Sequence, residues 1–245
     1  GLPSVVHVPL CLLAAMLVSV LWAMIPGYLN YKLKINIFIM FFMMNNMAAL
    51  FTEYLANGPF KGNITEAATD RVASSARLFR FSVYSDLNAG FLIALVLVAV
   101  LWFVLKKTRI GYEWYALGKN RTFSEYIGLH AGKRALMVLA VSAMISGLAG
   151  AEQVLGTMGR FYANFSNDLG FTGISIGLLA ANNPIGVLIF AMFFGALNSG
   201  GILMAAGTSV PGDLIEVLQS LMILMVSADF VIRTWKPKKM KKEGN

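Results

Sequence analysis

Long apolar stretches separated by short polar segments dominate the chain. A helix needs roughly 17–25 residues to cross a hydrocarbon core of about 30 Å, and six stretches reach or approach that length. They cover residues 9–26, 36–56, 88–105, 134–155, 185–200 and 213–232. The pattern predicts an all-α fold, a polytopic helical membrane protein with six clear spans.

A seventh apolar stretch, residues 171–181, is too short to cross a membrane alone. Asn182, Asn183 and Pro184 follow it, and proline disfavours a helical conformation in the residue before it. Irregular backbone at membrane depth must be buried in protein or line a wet cavity. We therefore predict a short broken or re-entrant helix over residues 171–184. A tight turn between two short, tilted spans is the alternative.

Lysine and arginine residues set the orientation of the predicted spans. If the spans alternate, fifteen of the twenty fall on one side, in residues 27–35, 106–134 and 233–245, and five fall on the other. We therefore place these three segments in the cytoplasm, including the basic tail 233–245. The net charge of +8 follows from this topology, so we predict contact with the lipid bilayer and no nucleic-acid partner.

The same orientation places residues 1–8 outside the cell. The chain starts with Gly1 and has no charged segment typical of a signal peptide. We therefore expect that residues 1–245 are one transmembrane domain of a longer protein whose N-terminal spans lie upstream. A mature chain whose targeting segment has been removed is the alternative.

Composition supports a membrane protein and limits its chemistry. Hydrophobic residues make up 58% and charged residues 13% of the chain, against about 25% charged residues in soluble domains. The single cysteine, Cys11, lies in an apolar stretch, and the two histidines are far apart. There is no nucleophile–base pair and no phosphate-binding GxxxxGK(S/T) motif. We predict no catalytic group, no metal site and no cofactor.

The segment 106–134 is a basic loop that carries its own short helix. Thr122 can cap that helix and Glu125 can complete a capping box, which predicts a helix over 120–130. One face would be largely aromatic and apolar, and such a face suits a groove on a soluble partner. A helix lying on the bilayer surface is the alternative. The face comprises Phe123, Tyr126, Ile127 and His130.

Amide side chains inside the apolar stretches are the candidates for a solute path. Polar groups at membrane depth are costly and usually face the bundle interior or a pathway. A structural hydrogen bond between helices is the alternative for each. The candidates are Asn45, Asn46, Gln153 and Asn198.

Two further patterns predict local structure. Small residues at four-residue spacing favour close helix packing. Residues 66–78 mix charged and small residues, which favours a surface helix, with an irregular polar cover as the alternative. The small-residue sets are Ala143, Gly147 and Ala151, and Ala191, Gly195 and Ser199.

Several segments, in a fixed order, resemble one known family. They are ALGKNRTFSEYIGLH from Ala116, SGLAGAEQVLG from Ser146, the stretch 170–201, and VPGDLIEVLQSLMIL from Val210. Together they resemble the membrane permease subunits of bacterial ABC importers for nucleosides, simple sugars and branched-chain amino acids, and most closely the nucleoside branch. One departure is Ile37, which stands where that branch has an acidic residue.

The resemblance implies a permease domain of the bacterial inner membrane that forms the translocation path for a nucleoside or related sugar-like solute. It implies cytoplasmic ATPase subunits, a second permease subunit (identical or different) and an extracytoplasmic solute-binding protein. ATP hydrolysis is expected in the separate ATPase, so the chain itself is not an enzyme. The candidates for coupling to the ATPase are Gly118, Asn120, Phe123, Glu125, Tyr126, Ile127 and Gly128.

Two other classes of protein compete with this interpretation. An ion-gradient-driven secondary transporter or channel subunit would carry paired ionisable residues deep in the membrane. A membrane enzyme would carry clustered His, Asp or Glu side chains near the bilayer surface. The sequence favours neither class.

Overall fold

The described part of the chain is mostly helical, with one short hairpin and an irregular outer segment that precedes it. The computed structural model describes residues 3–82, 85–166 and 169–208 and seven positions between 214 and 224. It divides into two compact units, Gly1–Asn167 and Asp168–Asn245. The helices are α1 (Ser4–Leu33), α2 (Ile37–Asn57), α3 (Ala89–Lys107), α4 (Arg109–Lys119), α5 (Arg121–Tyr126), α6 (Ala131–Glu152), α7 (Leu169–Leu179) and α8 (Pro184–Gly207). The hairpin pairs β1 (Arg80–Ser82) with β2 (Ser85–Asn88) in antiparallel fashion.

Five helices within the described residues are long and apolar enough to cross a membrane. They are Ser4–Leu33, Ile37–Asn57, Ala89–Lys107, Ala131–Met158 and Pro184–Gly207. Each coincides with a predicted span, so the polytopic helical fold is confirmed. The sixth predicted span, 213–232, lies mostly outside the described residues, and the tail 233–245 lies wholly outside them.

Close packing of α1 on α6 organises the first unit. The Ser19 hydroxyl on α1 donates a hydrogen bond to the carbonyl of Ala143 on α6 at 2.7 Å. A Cβ atom on Gly147 would lie 2.6 Å from the Ala15 carbonyl oxygen and 2.9 Å from the Ser19 Cβ atom. The small residues of α6 therefore allow the two backbones to approach, as their spacing predicts.

This contact gives a paired stability prediction. We expect Gly147→Ala to lower the thermal stability of the purified chain, because overpacking costs about 1–3 kcal/mol. Gly150 lies on the same helix, and a Cβ atom there would meet no atom within 4 Å. Gly150→Ala should therefore stabilise the chain by about 0.5–1 kcal/mol, the usual gain from replacing a helical glycine. Unfolding curves that shift in the same direction for both variants would contradict the α1–α6 contact.

The outer segment between α2 and α3 is extended instead of helical. The surface-helix interpretation of residues 66–78 is wrong, and only the 3₁₀ turn Ser74–Ala76 forms there. Backbone N–H groups of this segment donate hydrogen bonds to carbonyls in the chain that follows α6. These bonds satisfy the N–H groups without a helix. Bonds run from the N–H groups of Thr69, Val72 and Leu78 to the carbonyls of Phe161, Gly159 and Leu155, at 2.9, 2.9 and 3.1 Å.

In the second unit, the short helix α7 ends in an irregular turn, as predicted. Its 11 residues span about 16 Å at 1.5 Å per residue. Ala181 and Asn182 adopt left-handed backbone angles, with φ of 49° and 57°. The Asn183 side chain then caps α8 by accepting a hydrogen bond from the Ile185 N–H at 3.2 Å. Ala191, Gly195 and Ser199 are exposed on α8, so their role in close packing stays a prediction.

The length of α7 leads to a labelling prediction. We expect single Asn182→Cys and Asn183→Cys variants to react slowly with an impermeant thiol reagent added from the cytoplasm, because a helix of about 16 Å reaches only half-way through a 30 Å core. Thr122→Cys in the exposed 106–134 loop is the matched fast control. Labelling of the turn at the rate of that control would instead indicate a cytoplasmic turn between two crossings.

Candidate functional site

A cavity of about 830 Å³ lies among α1, α2, α6 and residues 161–165. Most of its wall is aliphatic or aromatic, and a smaller part carries hydroxyl and amide groups. The polar side chains include Asn45, Ser142 and Ser146, and the rings are those of Trp22, Phe41, Phe51, Phe161 and Phe165. Phe161 and Phe165 contact each other edge to face, with ring centroids 5.3 Å apart.

The two neighbouring asparagines of α2 have different environments. Asn45 lines the cavity, and within the described part of the chain no hydrogen bond holds its side chain. The Asn46 amide instead donates to the Phe42 carbonyl of its own helix at 2.9 Å. A free amide facing a cavity can bind a solute, whereas Asn46 already uses one of its two N–H donors within α2 and does not line this cavity.

Gln153 lies at a different cavity of about 370 Å³, lined also by Asn88 and Glu152. Here the Asn88 amide donates to a Glu152 carboxylate oxygen at 2.8 Å. The Asn88 side-chain oxygen caps α3 by accepting from the Gly90 N–H at 2.7 Å. Asn88 is buried, with 4% of its surface exposed. The link therefore fixes the start of α3 to the end of α6.

Sequence reasoning missed the Asn88–Glu152 link. An asparagine before an apolar helix is a recognisable cap signal, but nothing local indicates which carboxylate it contacts. From Gln153 to Met158 the helix widens into a π-helical segment, a form that often occurs at functional sites. Gln153 thus stands at a structural junction and does not itself line the cavity of Asn45, although Ala151 and Val154 beside it do.

Asn198 lies on α8, in the second unit, and its side chain is exposed. The structure therefore places three of the four path candidates in the first unit, where Asn45 and Asn46 are neighbours on α2 and Gln153 lies at a different cavity. Only Asn45 lines the larger cavity among these three.

The coupling segment, residues 118–130, forms a shorter helix than predicted. α5 runs from Arg121 to Tyr126, and its cap is Asn120, whose side-chain oxygen accepts from the Phe123 N–H at 3.0 Å. The capping box of Thr122 and Glu125 is therefore wrong. Glu125 instead forms an exposed ion pair with Arg121 at 3.3 Å.

Gly128 ends this helix with a left-handed turn, at φ of 85°. Its N–H donates to the Glu125 carbonyl at 3.1 Å, and the Leu129 N–H donates to the Ser124 carbonyl at 3.0 Å. This pair of bonds is a Schellman motif, which favours glycine at the left-handed position. His130 consequently lies beyond the helix as the cap of α6, so its predicted place on the α5 face is wrong.

One side of α5 is buried and the other is open. Ser124 is fully buried, with its hydroxyl donating to the Asn120 carbonyl at 2.9 Å. Phe123, Tyr126 and Ile127 are 56%, 86% and 52% exposed. The predicted aromatic and apolar face is therefore present and uncovered within the described chain.

A further helix, α4, precedes the coupling segment and was not predicted. Thr108 caps it by accepting from the Gly111 N–H at 3.3 Å. Glu113 of α4 forms an ion pair with Arg134 of α6 at 2.8 Å, and both side chains are about a quarter to a third exposed. Gly118 belongs to the last turn of α4. The coupling segment therefore lies between α4 and α6, which are joined by this ion pair, and is not an unsupported loop.

Comparison with known proteins identifies the family. A family described as "branched-chain amino acid transport system / permease component" matches residues 2–227. The chain belongs to this permease family. The resemblance and the membrane location inferred from the sequence are thereby confirmed. Membership supports a transport subunit over an ion-gradient-driven carrier, and the family's description names a permease component and no enzymatic activity.

Three curated relatives of this permease cover most of its length. It is 32% identical to the guanosine ABC transporter permease protein NupP of Bacillus subtilis, over 99% of this chain and 71% of that protein. It is 31% identical to the glucose ABC transporter permease protein TsgB13 of Haloferax volcanii, over 95% of this chain and 64% of that protein. It is 28% identical to the nucleoside ABC transporter permease protein NupB of Lactococcus lactis, over 97% of this chain and 68% of that protein. No solved structure matches it.

Proposed function

We propose that this permease forms the translocation path of an ATP-driven importer whose solute is a nucleoside or a related sugar-like molecule. Cytoplasmic ATPase subunits, a second permease subunit and an extracytoplasmic solute-binding protein complete the transporter. The relatives that support this proposal are named for guanosine, glucose and nucleosides. Each of these solutes is rich in hydroxyl groups.

The composition of the larger cavity is the observation that carries the proposed solute class. The side chains of Asn45, Ser142 and Ser146, which form no hydrogen bond within the described residues, can donate and accept hydrogen bonds without placing a charge at membrane depth. The aromatic rings in the same wall offer flat apolar surfaces for a base or for the face of a sugar ring. A neutral ligand with hydroxyls and one flat face fits both features.

The coupling segment supports the proposed ATPase partner. Its exposed face of Phe123, Tyr126 and Ile127 stands on a helix held by α4 and α6. A face fixed in this way can transmit a movement of a bound partner to α6. Because α6 also lines the solute cavity, such a movement would change the wall of the path.

Uptake by the reconstituted transporter tests the proposal. The complete set of subunits, placed in vesicles with ATP, should accumulate radiolabelled guanosine. Accumulation should continue after ionophores collapse the proton and sodium gradients, and it should stop when ATP is replaced by a non-hydrolysable analogue. Uptake that follows an ion gradient and ignores ATP would contradict the importer mechanism. Competition by uridine, ribose and glucose would rank the solute classes.

A further inference from the structure

A third cavity lies at the end of the first unit where two predicted cytoplasmic segments meet. It measures about 810 Å³ and is bounded by the last turns of α1, the start of α2, the coupling segment and the first half of α6. Ligand cavities of roughly 300–1,000 Å³ hold molecules of drug size. Leu139 is the one lining residue that this cavity shares with the 830 Å³ cavity of the proposed solute path, and Phe123, Tyr126 and Ile127 of the exposed α5 face do not line it.

The rim of this cavity carries an excess of positive charge. Lys34, Arg121 and Lys133 line it together with one carboxylate, that of Glu125. Glu125 is already bonded to Arg121 at 3.3 Å. Within the described part of the chain, neither Lys34 nor Lys133 forms an ion pair. Two exposed ammonium groups therefore remain available to an anion.

Part of the remaining wall is apolar, and the rest carries the polar groups of Asn30, Tyr31 and His130. Ile37 begins α2, and Leu136 and Leu139 lie on α6 against Gly27 of α1. All three helices have the length and hydropathy of membrane spans, so this wall continues towards the hydrocarbon core. A small water-soluble anion would use only the rim. A molecule with an anionic head and an aliphatic tail would use both the rim and the wall.

We propose that this cavity binds one anionic phospholipid. Its phosphate lies between the ammonium groups of Lys34 and Lys133, and the first carbons of an acyl chain lie along Ile37, Leu136 and Leu139. Basic pockets between membrane helices on the cytoplasmic side are suited to anionic headgroups. Because the coupling segment forms part of the rim, the bound lipid would contact the element to which the ATPase is proposed to dock.

Native mass spectrometry of the complete transporter tests this site. The protein in detergent is titrated with phosphatidylglycerol and, separately, with zwitterionic phosphatidylethanolamine. We expect phosphatidylglycerol to bind at the lower concentration. Lys34→Gln/Lys133→Gln should raise the half-saturating phosphatidylglycerol concentration about 25-fold, roughly fivefold for each lysine near an anionic surface. Lys34→Gln and Lys133→Gln alone should each raise the half-saturating phosphatidylglycerol concentration about fivefold. The test therefore does not depend on the double variant alone.

A matched control separates a defined site from diffuse charge. Lys106 and Lys107 are exposed on the same predicted side and do not line the cavity. Lys106→Gln/Lys107→Gln removes the same charge and should leave phosphatidylglycerol binding within twofold of wild type. Lys34→Arg/Lys133→Arg keeps the charge and should also retain binding. Equal losses in the two glutamine pairs would overturn the proposed site.

Two further outcomes would replace the lipid with another ligand. Displacement of phosphatidylglycerol by glycerol phosphate or inorganic phosphate at equal concentration would show that the wall contributes nothing and that the site takes a soluble anion. Exclusion of the lipid by bound ATPase, together with weaker ATPase binding in Lys34→Gln/Lys133→Gln, would assign the rim to protein docking. Neither outcome bears on uptake of the solute, so the proposed transport function is tested separately.

Discussion

We expect Tyr126→Asp/Ile127→Asp to leave the permease in the membrane and to abolish binding of its ATPase subunits. Both side chains are exposed, at 86% and 52%, so the substitutions disturb little within the chain. Docking would bury two carboxylates in an apolar groove, where each uncompensated charge costs about 3–5 kcal/mol. At about 1.4 kcal/mol per tenfold change, even one of them weakens binding at least 100-fold. Copurification of the ATPase with the tagged permease measures the effect.

Two control variants show whether α5 itself is the docking element. Tyr126→Phe/Ile127→Leu keeps the apolar surface and should retain ATPase binding. Tyr112→Asp/Tyr115→Asp places the same two charges on exposed positions of α4, in the same loop. We expect that pair to bind the ATPase normally. Undiminished copurification with Tyr126→Asp/Ile127→Asp would exclude docking on α5, and equal loss in the α4 pair would assign docking to the whole loop.

The coupling segment illustrates what a local pattern can and cannot specify. The apolar face of α5 was predictable, because three large side chains at helical spacing had to share one side. The N-cap residue of α5 was not predictable, because Asn120 and Thr122 both have side chains that can cap a helix. The choice depends on burial of Ser124 against the rest of the fold and on the left-handed turn at Gly128. A short helix therefore has boundaries that its neighbours decide.

Contacts between distant segments account for the other differences. Five spans could be predicted because about 20 apolar residues have few alternatives to a membrane helix. Residues 66–78 have helix-favouring composition, yet their backbone pairs with the chain near Phe161, and such tertiary bonds override weak local propensity. The Asn88–Glu152 bond joins residues 64 positions apart. No spacing rule in a single sequence identifies a pair at that separation.

The second large effect is expected on solute transport. Asn45→Ala should lower the kcat/KM of uptake about 5- to 150-fold, because a lost hydrogen bond that leaves its partner unsatisfied costs about 1–3 kcal/mol. The Asn45 amide lines the 830 Å³ cavity and has no other partner in the described chain. Initial rates of guanosine uptake by the reconstituted transporter, measured over a range of guanosine concentrations, test this expectation.

Asn46→Ala is the matched control, since it removes the same group one residue away on α2. Its amide already bonds to the Phe42 carbonyl of its own helix, so we expect uptake within about twofold of wild type. Ser142→Ala and Ser146→Ala remove hydroxyls from the same wall as Asn45 and should each produce a smaller loss than Asn45→Ala. Unchanged kcat/KM in Asn45→Ala would exclude this amide from the path. A larger loss in Asn46→Ala than in Asn45→Ala would place the solute on the face of α2 that carries Asn46, outside this cavity.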